Sequence, residues 1–312
     1  MLERNCRKMN VPQGFLEGEI REGFYIETMM KKVWAAQLEV LNVVDCLCKK
    51  HNIQYFADWG TLLGAVRHKG FVPWDDDMDI TMKRKDYIRF CQIAEEELKG
   101  EYEIVNLHSD EGWNHMLSRI INGRSVNYDP DHLKKFHGCP YVIGLDIFPL
   151  DYVAPTQEED EFQCEMIKIA GITAGNLNAM EDATQEDKRK IAKDILDMCG
   201  VPIRDDIPYD RQLFKVSEKL CMMYTEEEAT HIALMPDHAG ARPDDVYPKE
   251  YYDSAVYVPF EYTQIPIPVG YEKILIQKYG EDYMTPIMGG GSHEYPFYRK
   301  QLQTVLEELK LV

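Results

Sequence analysis

The segment Pro73-Trp74-Asp75-Asp76-Asp77-Met78-Asp79-Ile80 limits this chain more than any other. Four carboxylates in five positions repel one another unless a cation or a proton offsets the charge. A solvated acidic turn would meet that need, but Phe71, Trp74, Met78 and Ile80 interleave with the acids and imply partial burial. A calcium loop of the EF-hand type starting at Asp75 would need its turn glycine at Ile80 and its bidentate glutamate at Asp86, so it does not fit. Read as a strand over residues 75–82, the segment puts Asp75, Asp77 and Asp79 on one face. Asp77 and Asp79 then lie about 6.6 Å apart along the chain and can converge on one hard cation. Mg²⁺ suits two protein carboxylates, because it usually keeps water and takes phosphate oxygens as well. Mn²⁺ is the alternative.

Asp146 is a lone acid inside the apolar string Gly144-Leu145-Asp146-Ile147-Phe148. Burying it ionised is expensive unless it is hydrogen-bonded or faces a cation. Beside Asp77 and Asp79 the cation is the better reading, with Asp146 as a third metal carboxylate or as a base. Gly60-Thr61, in Trp59-Gly60-Thr61-Leu62-Leu63-Gly64, reads as a strand-to-helix turn whose N–H groups and hydroxyl can cradle a phosphate. Arg67, His68 and Lys69 follow and supply positive charge, although His68 and Lys69 read almost equally well as an ordinary basic loop. Arg119 and Arg124 flank another expected strand end and are weaker phosphate candidates. Trp113 and His115 read as packing residues.

The remaining pattern gives the organisation. Val33, Trp34, Leu38, Leu41, Val44 and Leu47 recur at spacings of three and four, which predicts a helix over residues 27–50 with one apolar face. Strands are expected at 53–59, 75–82, 102–107, 115–121 and 141–150, with a short helix at 62–67 and an amphipathic helix at 85–98. Segments 157–175, 186–199, 210–224, 271–279 and 297–310 read as helices. Residues 236–248 and 265–268 read as proline-punctuated loops. The expected fold class is α/β (α+β), a mixed sheet with flanking helices and a mainly helical C-terminal part. Residues 1–27 form an N-terminal arm, 28–155 the catalytic core, and 156–312 a helical region packed on that core.

Charge narrows the function. Asp and Glu total 54 against 35 Lys and Arg, a formal charge of −19. That balance argues against a nucleic-acid or anionic-membrane surface, yet leaves room for a small phosphorylated ligand held by a few cations. An apolar fraction of 45% is enough for a core and argues against disorder. The eight cysteines make no C-x-x-C pair and read as free, mostly buried thiols of a reducing compartment. The N-terminus lacks an apolar stretch after its charges, and no run approaches the roughly 18 apolar residues of a membrane span. A cytoplasmic protein is expected. The aromatic residues could form a cage for a quaternary ammonium group; most will be core.

The order Gly-Thr, then D-x-D at Asp77 and Asp79, then the lone Asp146 resembles the nucleotidyltransferase superfamily. The unbroken string from Trp59 to Ile80, WGTLLGAVRHKGFVPWDDDMDI, is more specific and looks like the LicD family, which includes the fukutin-related proteins. The resemblance runs from the helix around Trp34 through Asp151 and returns at Ile265-Pro266-Ile267-Pro268 and Tyr279-Gly280-Glu281-Asp282-Tyr283-Met284. Glu281 is an extra acid relative to the usual Gly-Asp. The resemblance implies a nucleotidyltransferase-like core and a metal-dependent transferase. Such an enzyme would move a phospho-alcohol, phosphocholine above all, from a CDP-linked donor to a sugar hydroxyl, releasing CMP. The acceptor would be a cell-surface glycan or glycolipid, lipopolysaccharide or teichoic acid. A CTP-dependent nucleotidylyltransferase releasing pyrophosphate, and a non-catalytic metal- or nucleotide-binding module, are the alternatives. The residues themselves do not tell which phosphorus is attacked.

Overall fold

In the computed structural model, which describes residues 8–100, 102–180, 182–289 and 295–309, the chain divides into two units that are not consecutive in sequence. The first takes Met1–Ile104, Arg119–Ile147 and Tyr252–Val312; the second takes Val105–Ser118 and Phe148–Tyr251.

The first unit opens with a hairpin of β1 (Glu19–Arg21) and β2 (Phe24–Ile26), a regular feature inside the expected arm. Helix α1 (Thr28–His51) follows, and its last turn carries Lys49, Lys50 and His51, which complement the negative end of the helix dipole. Asn52 stops it in the left-handed conformation, φ 50°. Residues 33–41 are all buried, so α1 is enclosed through its middle rather than apolar on one face. Its buried polar groups therefore need partners. Gln37 Nε2 donates to the Asp76 carbonyl at 2.7 Å, and Glu39 Oε1 lies 2.8 Å from His137 Nε2.

Strand β3 (Phe56–Ala57) is only two residues long, because Asp58 caps a helix that starts at once. That helix, α2 (Trp59–Arg67), begins three residues before the expected start: the Asp58 carboxylate accepts from the Trp59 N–H at 2.7 Å. Strand β4 (Asp79–Lys83) starts four residues later than expected. Side chains of α1 hold the carbonyls ahead of it: Trp34 Nε1 donates to the Asp75 carbonyl at 3.1 Å and Gln37 to that of Asp76. Those acceptors are thereby withdrawn from any strand ladder. The expected placement of Asp75, Asp77 and Asp79 on one strand face is thus corrected, since only Asp79 lies in the strand.

Helix α3 (Arg84–Glu97), β5 (Glu103–Val105), β6 (Ser118–Ile121), α4 (Pro130–Lys135) and β7 (Gly144–Tyr152) follow. The strand order is β3-β4-β7-β6-β5, with β3 and β4 antiparallel and Phe56 opposite Thr81. A mixed α/β architecture is the result.

In the second unit, α5 (Gln157–Ala179), α6 (Gln185–Met198) and α7 (Tyr209–Cys221) pack around Ala170, Ala174, Leu177, Leu196 and Leu213. The Thr184 hydroxyl and the Asp187 carboxylate form a capping box at the start of α6. Two strands were not anticipated here. β8 (His231–Ala233) pairs with the end of β7, Asp151 opposite Ala233, and β9 (Val246–Pro248) pairs with β8; the short helix α8 (Met235–Ala239) lies between them in the chain. A single 3₁₀ turn, Lys249–Tyr252, leads back to the first unit.

There β10 (Ala255–Phe260) and β11 (Thr263–Pro268) form a two-stranded hairpin where residues 265–268 had read as loop. Pro259, Pro266 and Pro268 are tolerated because a two-stranded sheet leaves one edge of each strand without a donor requirement. Glu261 at its turn takes a bidentate pair from Arg21, at 2.6 and 2.9 Å, and accepts from the Phe71 N–H at 3.1 Å. Helices α9 (Tyr271–Tyr279) and α10 (Tyr298–Glu308) follow. No helix of the described residues is long and apolar enough to cross a membrane. Cys46 is disulfide-bonded, against the expectation of free thiols throughout, whereas Cys48, Cys91, Cys139, Cys164, Cys199 and Cys221 are free. Cys6 lies outside the described residues.

Candidate active site

The acidic segment and the start of β7 meet through the backbone: the Asp146 N–H donates to the Met78 carbonyl at 3.0 Å. That bond sets Asp146 beside the stretch between Asp77 and Asp79. The four acids of the segment are then dealt to different neighbours. Asp75 lies against Gly60, whose missing side chain makes the room: a Cβ there would stand 2.1 Å from Asp75 Oδ2. Asp76 is buried and accepts from the Phe297 N–H at 2.6 Å. Asp77 lines a cleft of about 550 Å³ together with Asp76 and Asp146. Oxygens of Asp75, Asp76 and Asp77 all come within 4.8 Å of one another.

Asp79 feels the whole group. Burial pushes its carboxyl well above the ordinary carboxylate range, and Asp77, Asp146, Asp75 and Asp58 push it further. Burial, then the neighbouring Asp77, raises Asp75 likewise. Acids that strain toward neutrality in the absence of a cation are the arrangement a divalent ion would relieve, and an all-oxygen donor set is the kind that hard ions take. The residues present therefore fit Mg²⁺ or Mn²⁺.

Gly60 and Thr61 occupy the first turn of α2 rather than an open loop. Thr61 is buried, and its hydroxyl accepts from the Asp79 N–H at 2.9 Å, so it fixes the start of β4. Arg67 turns elsewhere: it donates to the Tyr283 carbonyl at 2.8 Å and to His68 Nε2 at 2.9 Å. Burial and the adjacent Arg67 lower the His68 pKa. Lys69 adopts φ 55°, and its carbonyl accepts from the Glu261 N–H at 2.7 Å. Arg67, His68 and Lys69 are not among the described residues that line the cleft.

The cations that do line it are Arg119, Arg299 and Lys300. Arg119 holds Asp146 with both Nε and Nη2, the latter at 2.7 Å, and this hydrogen bonding raises its own pKa. Gly144 makes that possible, since a Cβ there would meet Arg119 Cδ at 2.6 Å. Gln37 also lines the cleft, and its buried Oε1 has no hydrogen-bond partner among the described residues. The sequence carried a signal for Gln37, a polar residue between apolar positions of a helix. It carried none for Arg299 or Lys300, which lie far along the chain in a surface-type helical pattern. Asp58 and Lys278 were also missed. They form a buried ion pair, each side chain 2% exposed, and the ammonium sits 3.7 Å from the centre of the Trp59 ring.

The chain is 28% identical over 252 residues, covering 80% of its length and 89% of the relative, to the lipopolysaccharide cholinephosphotransferase LicD of Haemophilus influenzae. It is 55% identical over 47 residues, 15% of each chain, to an uncharacterized protein of Rickettsia typhi, and 53% over 47 residues to one of Rickettsia prowazekii, 15% of this chain and 18% of that one. Residues 52–162, which include the acidic segment, Gly60-Thr61 and Asp146, match the LicD/FKTN/FKRP nucleotidyltransferase domain.

Proposed function

We propose that this protein is a LicD-type phosphotransferase that moves phosphocholine from a CDP-linked donor to a sugar hydroxyl of a lipopolysaccharide-type glycan, releasing CMP. The observation that carries the reading is the cleft itself, lined by Asp76, Asp77 and Asp146 together with Arg119, Arg299 and Lys300. Acids suited to a divalent ion and cations suited to phosphate oxygens line the same cleft. The similarity to the Haemophilus enzyme supports the choice of phosphocholine and of a lipopolysaccharide acceptor.

In this reading Asp77 and Asp79 hold Mg²⁺ or Mn²⁺. The ion, when bound, offsets the charge of the donor pyrophosphate and of the departing CMP. Thr61 keeps the Asp79 backbone in place through its 2.9 Å hydrogen bond. Arg299 and Lys300 attract the donor phosphates, and Arg119 is shared between them and Asp146. Two guanidinium N–H groups already occupy the Asp146 oxygens, which favours a charge-holding role for this carboxylate over proton transfer. The ring of Phe297, also in the cleft wall, offers a π face to the quaternary ammonium of choline. Catalysis of this kind is mostly positioning and electrostatics. Six free thiols among the described residues agree with a cytoplasmic setting, and the bonded Cys46 does not.

The test is a screen of CDP-choline, CDP-ethanolamine, CDP-glycerol and CDP-ribitol with Mg²⁺ and lipopolysaccharide or teichoic acid acceptors, reading CMP. Acceptor-dependent CMP release from CDP-choline is the expected result. Pyrophosphate released from CTP would establish the nucleotidylyltransferase alternative instead. Metal binding with no turnover of any donor would make the protein a binding module.

A further inference from the structure

The second unit holds a cluster that the transfer reaction does not use. Asp160 and Cys164 are four residues apart, one turn of α5, and so share a face. His238 of α8 meets them. Its Nε2 lies 3.1 Å from both Asp160 oxygens, and Cys164 Sγ lies 3.7 Å from Asp160 Oδ1. Sulfur, nitrogen and oxygen all fall within 4.8 Å of one another.

We propose that Asp160, Cys164 and His238 form a Zn²⁺ site. The spacing suits that ion: tetrahedral bonds of the usual lengths put nitrogen about 3.3 Å, and sulfur about 3.6 Å, from a carboxylate oxygen. The hydrogen bond on the far side of the ring agrees. His238 Nδ1 lies 2.8 Å from the Pro243 carbonyl, which can only accept, so Nδ1 carries a proton. Nε2, the ring nitrogen that faces the carboxylate, is then the atom left to bind an ion held between the two. A ring nitrogen tied to a backbone carbonyl opposite the metal is the recurrent outer support of histidine ligands. The mixed donor set favours zinc over Mg²⁺ or Ca²⁺, which take oxygen alone. His238 is 8% exposed while Asp160 and Cys164 are only half-buried, so water can complete the fourth position. The ion would clip α8 to α5 inside this unit, and the proposal does not depend on the activity proposed above.

The test uses the full chain, stripped with a chelator and dialysed against Zn²⁺ or Co²⁺ in excess Mg²⁺. One Zn²⁺ per chain is expected, with a thiolate-to-cobalt charge-transfer band on Co²⁺ loading and a rise in Tm on Zn²⁺ loading. Cys164→Ser should lose the band, and His238→Gln should lose the stoichiometric Zn²⁺. Asp77→Asn should keep both. Asp160→Asn, nearly isosteric, serves as the second variant should His238→Gln fail to fold, and it should weaken Zn²⁺ binding at least tenfold. No bound Zn²⁺ in the wild type, a band that survives Cys164→Ser, or unchanged affinity in Asp160→Asn would each overturn the site.

Discussion

Gly60 and Asp75 are fitted to each other, with 2.1 Å between the position of an absent Cβ and Asp75 Oδ2. Gly60→Ala must therefore swing the carboxylate. Because Asp75 is a side-chain tip that can rotate, urea unfolding should show a loss of only about 1 kcal/mol. Turnover should fall at least tenfold, because a charge of the acidic cluster has moved. Wild-type turnover in Gly60→Ala would show that the position of Asp75 is immaterial.

Asp77→Ala removes a cleft carboxylate from a segment already held by Trp34 and Gln37. CMP release should drop by at least about 10²–10³-fold, in the range seen when one preorganised electrostatic group is lost, with an unchanged circular dichroism spectrum. Near-normal transfer would remove Asp77 from the mechanism.

Asp79 ties activity to a stability penalty. Its carboxyl pKa is raised above the ordinary 3.8 by burial first and by Asp77 next. The folded, metal-free protein thus holds this proton more tightly than the unfolded chain does. The associated stability is fully present below 3.8 and is lost as pH rises through the folded value. Without divalent ions, Asp79→Asn should melt above wild type, and the gap should widen from mildly acidic to mildly alkaline buffer. Mg²⁺ should raise the Tm of the wild type and not that of the variant. A gap that is independent of pH would contradict the assignment.

How much of this could be read in the sequence depended on the reach of each interaction. The helices over 28–51, 84–97 and 157–179 rest on local periodicity, and the sequence pattern located them to within a few residues. The acidic string and Gly60-Thr61 were visible as motifs. Strand β4 was placed too early because the acceptors on Asp75 and Asp76 are claimed by side chains some forty residues upstream, which no local pattern records. Arg67 follows Gly60-Thr61 closely in the chain, and its guanidinium donates to the Tyr283 carbonyl, a contact more than two hundred residues away that no local pattern records. Arg299 and Lys300 reach the cleft only through the tertiary fold.

Lys278→Ala should be among the most damaging single changes away from the cleft. It leaves the Asp58 carboxyl group 2% exposed without Lys278, and Oδ2 already lacks a hydrogen-bond partner among the described residues. Breaking a buried pair from one side costs about 3–5 kcal/mol, which a shift of the urea midpoint at constant slope would register. Double replacement of Asp58 and Lys278 by apolar residues should be milder than the sum of the single changes. Strict additivity would deny the coupling.

The same pair sets a timetable for the nascent chain. Asp58 leaves the ribosome 220 residues ahead of Lys278, roughly ten to forty seconds at ordinary elongation rates. Throughout that interval the N-terminal turn of α2 carries an acid with no counter-charge, next to a segment crowded with four more. The catalytic half can be finished only after the whole helical insertion has been translated, so fragments ending before α9 should emerge as clients of chaperones rather than as miniature enzymes.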